Sequence, residues 1–290
     1  MRFDQYRAYP EYQLLKKGMT MSEFKKIYFW EYLHRLLGRL IGLVYAVPLA
    51  WFIARGAVRG RLALLLALGL ALGGLQGFVG WWMVKSGLNE NPHVSPLRLA
   101  IHLGLALFLL SYLWWLRLQL THPRTELAAS AALRGRARAF LALLAVQIFY
   151  GALVAGLNAG FMFNTFPLMM DRVFPPGMWS QTPAWVNFFE NATTVQWMHR
   201  TLGWAVLAAA IYVWHRGRRD AESTLARGAL GAIAWLTMLQ FALGVATLLL
   251  RVPVWLGVAH QVNAAILLVA AVTLLYAAPP TSARAPVMSH

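Results

Sequence analysis

His34, His102, His199 and His260 each stand at the start of a long apolar run, and they fall into two pairs of similar spacing, one in each half of the chain. His34 and His199 also open a shared signature, His34-Arg35-x-x-Gly38 against His199-Arg200-x-x-Gly203, so the pairing reads as a duplication. A neutral imidazole near hydrocarbon is costly unless both nitrogens find partners, and ionisable groups inside a membrane are by default candidates for function. Two chemistries are open at this point. Each histidine is satisfied by ordinary polar neighbours near the membrane surface, or the four act as two pairs of axial ligands to haem iron. A four-helix bundle offers a slot for the flat macrocycle and donors and acceptors for the free ring nitrogens. The repeated arrangement favours the second.

The two halves differ chemically one helical turn before their first histidine. Glu31 precedes His34, whereas Gln196 precedes His199, and an i, i+3 pair shares a helix face. A carboxylate accepts and relays protons, and an amide only hydrogen-bonds, so any reaction is expected in the half that carries Glu31. The plainer alternative for Glu31 is a solvated glutamate near a helix start. A Glu-x-x-His pair is also part of a di-iron carboxylate site, but that requires a second such pair and further glutamates within the spans. None of the ten acidic residues lies deep in an apolar run. Serine-nucleophile, phosphate-loop and dinucleotide motifs are not evident.

The elements that must position these groups are set by composition. Of 290 residues 59% are hydrophobic and 12% charged, with 13 Trp and 10 Tyr, far from a soluble balance. Apolar stretches at 35–54, 62–84, 98–116, 138–157, 196–214, 228–250 and 256–277 each approach the ~20 residues that cross ~30 Å of hydrocarbon as a helix. Pro48 and internal glycines are tolerated there because neighbouring helices re-satisfy the backbone. The fold expected is all-α: a polytopic membrane protein of two pseudo-symmetric four-helix bundle halves.

The net charge of +16 does not indicate nucleic acid, because the basic residues are dispersed among short loops. Arg55, Arg59 and Arg61, then Arg117, Arg124, Arg134, Arg136 and Arg138, then Arg216, Arg218, Arg219 and Arg227, and Arg284 in the tail are placed in the cytoplasm by the positive-inside rule. Lys85 and Arg98, Arg172 and Arg251 fall outside, which puts all four histidines near the periplasmic surface and the C-terminus in the cytoplasm. Six cations in residues 1–33 disagree with that alternation. A Gln-x-x-x-Gly element recurs at Gln76-Gly80, Gln147-Gly151 and Gln240-Gly244, each time before a helix that begins with a histidine. His34 alone has no such helix before it, so the seven helices are read as an eight-helix duplication whose first helix is missing. The halves expected are 1–118 and 138–278, joined by a cytoplasmic linker 119–137 and followed by a cytoplasmic tail 279–290. The outer loop 158–195, with Trp179, Trp185, Phe188 and Phe189, is expected to lie in the membrane interface and cover a site. Asn191-Ala192-Thr193 spells a glycosylation sequon and is discounted.

Taken in order, Glu31-Tyr-Leu-His34-Arg35-Leu-Leu-Gly38-Arg39, Gln76-Gly-Phe-Val-Gly80, Arg98-Leu-Ala-Ile-His102, Gly151-Ala-Leu-Val-Ala-Gly156, Asn164-Thr-Phe-Pro167-Leu-Met169, Gln196-Trp-Met-His199-Arg200 and His260-Gln261-Val-Asn263 closely resemble the haem A synthase family over nearly the whole chain. The resemblance implies an eight-helix enzyme that oxidises the C8 methyl group of haem O to the formyl group of haem A. Its route is two oxygen-dependent hydroxylations to a gem-diol and loss of water, with molecular oxygen as oxidant. By that likeness His34 and His102 hold the substrate haem, His199 and His260 hold a haem b cofactor, and Glu31 is the essential carboxylate. Arg35, Lys85, Arg98 and Arg200 at the outer ends are expected to anchor haem propionates, snorkelling to lipid headgroups being the alternative. The chain has no cysteine and so looks like the cysteine-free alphaproteobacterial and mitochondrial class, and the resemblance implies that the Gly-rich first helix of relatives is missing from it. The resemblance further implies a bacterial inner membrane protein in contact with lipid, served by an unidentified electron donor. Haem O synthase, cytochrome oxidase assembly factors and a second copy of the chain are the expected partners. A dihaem electron carrier without catalysis and a repeat-built transporter are the competing classes.

Overall fold

The computed structural model describes residues 3–86, 93–123, 127 and 130–279. Arg2, Glu90, Arg124, Glu126, Arg284, His290 and the tail from 280 lie outside the described residues. Among those described, the chain is helical throughout apart from turns and one isolated bridge between Met169 and Arg172. Seven long helices are present: α1 Met21–Ala54, α2 Gly60–Ser86, α3 Pro96–Thr121, α4 Ala131–Gly156, α5 Ala192–Asp220, α6 Thr224–Leu249 and α7 Val254–Ala277. Six of them are long and apolar enough to cross a membrane. The seventh, α5, has the length but carries His199, Arg200, His215, Arg216, Arg218 and Arg219 along its 29 residues. Each of the seven apolar stretches read from the sequence lies on its own helix. The protein is an all-α polytopic membrane protein.

Local chemistry fixes the helix starts. Thr20 caps α1 by accepting from the Glu23 amide at 3.3 Å while the Glu23 carboxylate accepts from the Thr20 amide at 2.8 Å, a reciprocal box that satisfies two otherwise orphan donors. Ser130, Asn191 and Ser223 cap α4, α5 and α6 through their side-chain oxygens. Pro48 sits inside α1 without ending it. Large apolar side chains such as Ile41, Val44, Trp51 and Leu64 are exposed, as expected of faces whose solvent is lipid.

The chain divides into two compact units, Met1–Leu109 and Leu110–His290, with the boundary inside α3. In the first, α1 packs on α2. Phe3 and Tyr6 ahead of α1 and Phe24 near its start form a buried aromatic cluster joined by Tyr12 and Tyr28. In the second, α4, α5, α6 and α7 form a four-helix bundle in which α4 meets α5, α5 meets α6, α6 meets α7 and α7 closes back on α4. The three residues 221–223 and four residues 250–253 joining α5, α6 and α7 force antiparallel neighbours, so α5 and α7 run parallel on the diagonal. Toward one end of the bundle Leu133, Phe140, Leu230, Leu274 and Tyr276 are fully buried. The Arg136–Asp220 ion pair, the Arg134 bond to the Ala278 carbonyl and the Tyr276 bond to the His122 carbonyl tie that end together.

The segment 157–191 folds onto the start of α5 at the other end. The Asn191 side chain, 6% exposed, accepts from the amides of Thr193 and Thr194 and donates to the carbonyls of Gly177 and Met178. It is committed to this knot, which accounts physically for discounting the sequon. Trp179 and Trp185 are exposed beside it.

Candidate functional site

Diagonal pairing brings His199 of α5 and His260 of α7 face to face across the second unit's bundle, ring centres 6.4 Å apart and planes at 77°. Two in-line metal–nitrogen bonds of about 2 Å, with about 1 Å more from each nitrogen to its ring centre, require ~6 Å. The pair therefore has the separation of two axial ligands on one metal. Among the described residues no group of three or more His, Cys, Asp or Glu side chains could hold a metal ion. Two imidazoles without further donors suit a metal whose remaining ligands come with it, as in haem. In the first unit, His34 of α1 lies within electrostatic reach of His102 of α3. His34 is exposed, whereas His102, His199 and His260 are partly buried.

Why the recurring Gln-x-x-x-Gly elements precede histidine helices is visible in the packing. Antiparallel neighbours set the late residues of one helix beside the early residues of the next. A Cβ built on Gly80 would stand 2.8 Å from His102 Cε1, one on Gly151 3.1 Å from His199 Cε1, and one on Gly244 3.0 Å from His260 Cε1. Each glycine is a seat into which the imidazole of the following helix is pressed. Any side chain there would displace the ring.

The glutamine four residues earlier lies on the same face, one turn away. Gln76 Nε2 donates to the His102 carbonyl at 3.1 Å and lies 3.4 Å from His102 Nε2. Gln240 Nε2 lies 3.1 Å from both ring nitrogens of His260. The main-chain carbonyls of Gln147 and Gln240 also face the His199 and His260 rings. For His199 the approach falls short of hydrogen-bond geometry, and its buried Nδ1 is left without a partner. Gly38 and Gly42, following His34, have nothing within 4 Å.

The remaining residues singled out from sequence are placed as follows. Glu31 pairs with Arg35 at 2.5 Å, one turn along α1, both side chains about half exposed. Its counterpart Gln196 is buried, donates to the Phe163 carbonyl at 3.0 Å and keeps its Oε1 without a partner. Lys85 lies over the Trp81 ring at 5.3 Å. Arg98 stacks over Trp82 at 4.4 Å and donates to its carbonyl at 3.0 Å. Arg200 Nη2 reaches the carbonyls of Thr165, Pro167 and Leu168 at 2.8 to 3.2 Å, holding the loop beside His199, while its buried Nη1 has no partner. Arg200 and Arg172 also line a cavity of about 170 Å³ with Trp197 and Trp204.

Two functional features escaped sequence reasoning. The glycines were noticed only as a repeat, because a seat is defined by a distance between helices. Asn263 was noticed only as part of a motif, and its contact to Gln240 joins different helices.

Comparison with known proteins follows the same residues. A family model described as "Cytochrome oxidase assembly protein" matches residues 1–272. A protein of Rhodospirillum centenum named "Heme A synthase" is 47% identical over 266 residues, covering 91% of this chain and 71% of the relative. Proteins of the same name from Rhodopseudomonas palustris and Nitrosospira multiformis are 46% and 42% identical, each over 93% of this chain and over 75% and 76% of the relative.

Proposed function

This chain belongs to the cytochrome oxidase assembly family that its residues 1–272 match, and from that membership we propose how its two histidine pairs divide the work. The activity is that of a haem A synthase, an oxidoreductase reaction in which haem O gives haem A. In our reading His34 and His102 hold haem O, and His199 and His260 hold a resident haem b. The observation that carries it is the 6.4 Å separation of the His199 and His260 rings, together with the glycine seats that repeat the same arrangement at His102.

When bound, haem b supplies one-electron redox chemistry, and the chain's contribution is to bind, orient and handle protons. Gly151 and Gly244 set the imidazoles of the resident pair, and Gly80 sets that of the substrate pair. Glu31, one turn from His34, accepts and returns protons beside the substrate, and Arg35 at 2.5 Å holds its carboxylate in place. The corresponding amide Gln196 is locked on a main-chain carbonyl and carries no proton traffic. Conversion of the methyl to the formyl group inserts one oxygen atom from molecular oxygen in each of two steps. Each step consumes two electrons and two protons, and the gem-diol then loses water. Arg200 Nη1 is a donor without an acceptor beside His199 and suits a haem propionate. Lys85, Arg98 and Arg35 are the cations available to propionates in the other half, where Arg35 also pairs with Glu31 and Arg98 with the Trp82 carbonyl. The protein works in the bacterial inner membrane, with its histidine pairs on the periplasmic side.

The test is product analysis. The full chain is expressed in cells that make haem O, and the extracted pigments are separated. Haem A from the wild type and none from Glu31→Ala is the expected result. Bound haem with no conversion in the wild type would make the chain an electron carrier instead.

A further inference from the structure

Met169 and Arg172 close a tight turn in the segment 157–191, each amide donating to the other's carbonyl at 3.0 and 3.2 Å. Met170 and Asp171 between them are both left-handed, at φ 52° and 58°, a conformation unfavourable for L residues, so the surroundings must hold the turn in shape. Trp197 does part of this, its Nε1 donating to the Val173 carbonyl at 2.8 Å. Directly opposed residues of an antiparallel pair carry their side chains on one face. Here that face is a wall of the cavity of about 170 Å³: Met169, 2% exposed, and Arg172 line it opposite Trp197, Arg200 and Trp204, which share one face of α5.

The lining holds two guanidinium groups and no carboxylate. Asp171, next to Arg172 in sequence, is not among the lining residues, and among the described residues neither arginine forms an ion pair. Arg200 Nη2 is spent on loop carbonyls, which accept hydrogen bonds without cancelling the charge. Two like charges on one small cavity repel, and an anion between them turns that repulsion into attraction. The planar fork of arginine matches the oxygens of a phosphate in particular.

The surroundings of the cavity narrow the source of that phosphate. Met170, Val173, Phe174 and Trp179 on the same segment are exposed, and so is Trp204 at the cavity wall. A second, more open hollow lined by Phe174, Pro175, Met178 and Trp179 adjoins Val173 along the chain. Exposed apolar surface of this kind marks contact with a partner or a membrane, and tryptophans gather where headgroups meet hydrocarbon. A free anion in water has no use for such surface. A phospholipid, whose phosphate is joined to acyl chains, uses both.

We propose that the cavity between the Met169 to Arg172 turn and α5 binds the phosphate of an anionic phospholipid, with Arg172 as its principal cation and the exposed Val173, Phe174 and Trp179 against the lipid beside it. Arg200 adds its charge to the wall, with Nη2 on the loop and Nη1 left for the propionate. The bound lipid pins the outer segment to α5.

The experiment uses the full chain in detergent, with and without its haem, and measures proteolytic cleavage within 157–191 during titration with phosphatidylglycerol, with phosphatidylcholine of the same acyl chains, or with inorganic phosphate. Native mass spectrometry counts the lipid retained. Phosphatidylglycerol is expected to slow cleavage in the wild type at lower concentration than phosphatidylcholine, and inorganic phosphate to leave it unchanged. Arg172→Gln should raise the phosphatidylglycerol concentration needed by about fivefold, the effect of one basic residue at an anionic membrane surface, and leave the phosphatidylcholine response as it was. Arg172→Lys, which keeps the charge, should stay within about twofold of the wild type. Equal protection by the two lipids would overturn the proposal, because apolar contact alone would then explain it. Equal protection by inorganic phosphate would overturn it in favour of a free anion. Protection by phosphatidylglycerol that disappears when haem is loaded would assign the cavity to a propionate, with the same consequence. Arg172→Gln and Arg172→Lys that behave alike would reduce Arg172 to a structural part of the turn. Should Arg172→Gln fail to fold, the three titrations of the wild type still decide between these outcomes.

Discussion

Replacing Gly244 by alanine adds a single methyl group and tests the seat directly. The new carbon would stand 3.0 Å from His260 Cε1, against the about 3.5–4.0 Å at which two carbons rest in contact. The ring must therefore retreat by roughly 0.5–1 Å. Gln240 at 3.1 Å from both ring nitrogens and Asn263 behind it leave it no free direction along α6. Metal–ligand distances tolerate about 0.2 Å, so the displaced nitrogen leaves bonding range. The expected result is a ferric spectrum that changes from low-spin six-coordinate to largely high-spin, with haem affinity at this pair reduced about 10- to 100-fold. At Gly80 the clash is tighter, 2.8 Å to His102 Cε1, and lies in the half that carries Glu31. Gly80→Ala is expected to lower haem A formation on the order of 100-fold while leaving the C-terminal pair's spectrum intact. Gly77→Ala is the control. Nothing lies within 4 Å of its added Cβ, and alanine inside a helix is favoured over glycine by about 1 kcal/mol. Spectra of Gly244→Ala and Gly77→Ala that coincide with the wild type would refute the seat.

Further consequences follow from other contacts. Arg200→Leu removes three carbonyl bonds that bind residues 165–168 to α5, so proteolytic cleavage in the segment 157–191 should accelerate several-fold while helix content stays constant. Cleavage at the wild-type rate would show that the loop is held by Asn164, Gln196 and Asn191 alone. The Tyr6 phenol is pushed up to about 12, first by burial and then by the Glu11 carboxylate. Its raised value means that the aromatic cluster around it is fully stable below pH ~10 and loosens as pH rises through about 12. The tyrosinate absorbance lost on Tyr6→Phe should titrate near that value. A midpoint near 10 would place Tyr6 in solvent.

The spans were legible in the sequence because an apolar run of ~20 residues in so hydrophobic a chain has one physical solution, a helix that satisfies its own backbone. Their ends were not. The run at 35–54 understates α1, which begins at Met21, because Thr20 and Glu23 start the helix through a polar box that hydrophobicity does not register. The run at 196–214 understates α5 in the same way, since Asn191 caps it and Arg218 and Arg219 extend it at the end where the helix dipole favours cations. The histidines and the glutamines were legible as a repeat, and the purpose of the repeat was not. That a glycine on α6 meets a ring on α7 is a statement about the approach of two helices. Arg200 was expected at a haem propionate, and most of its hydrogen bonding goes to a loop more than thirty residues earlier in sequence. Its one buried nitrogen without a partner is all that the loop leaves for an anion.

The central claim is that each half presents a pair of imidazoles to one haem iron. Near-infrared magnetic circular dichroism of the ferric, haem-loaded protein reports axial ligands directly. The signature of bis-imidazole ligation should be present in His102→Ala, carried by His199 and His260, and should vanish from that site in His260→Ala. Its persistence in the double variant His102→Ala with His260→Ala, or its absence from haem-loaded wild type, would contradict the account.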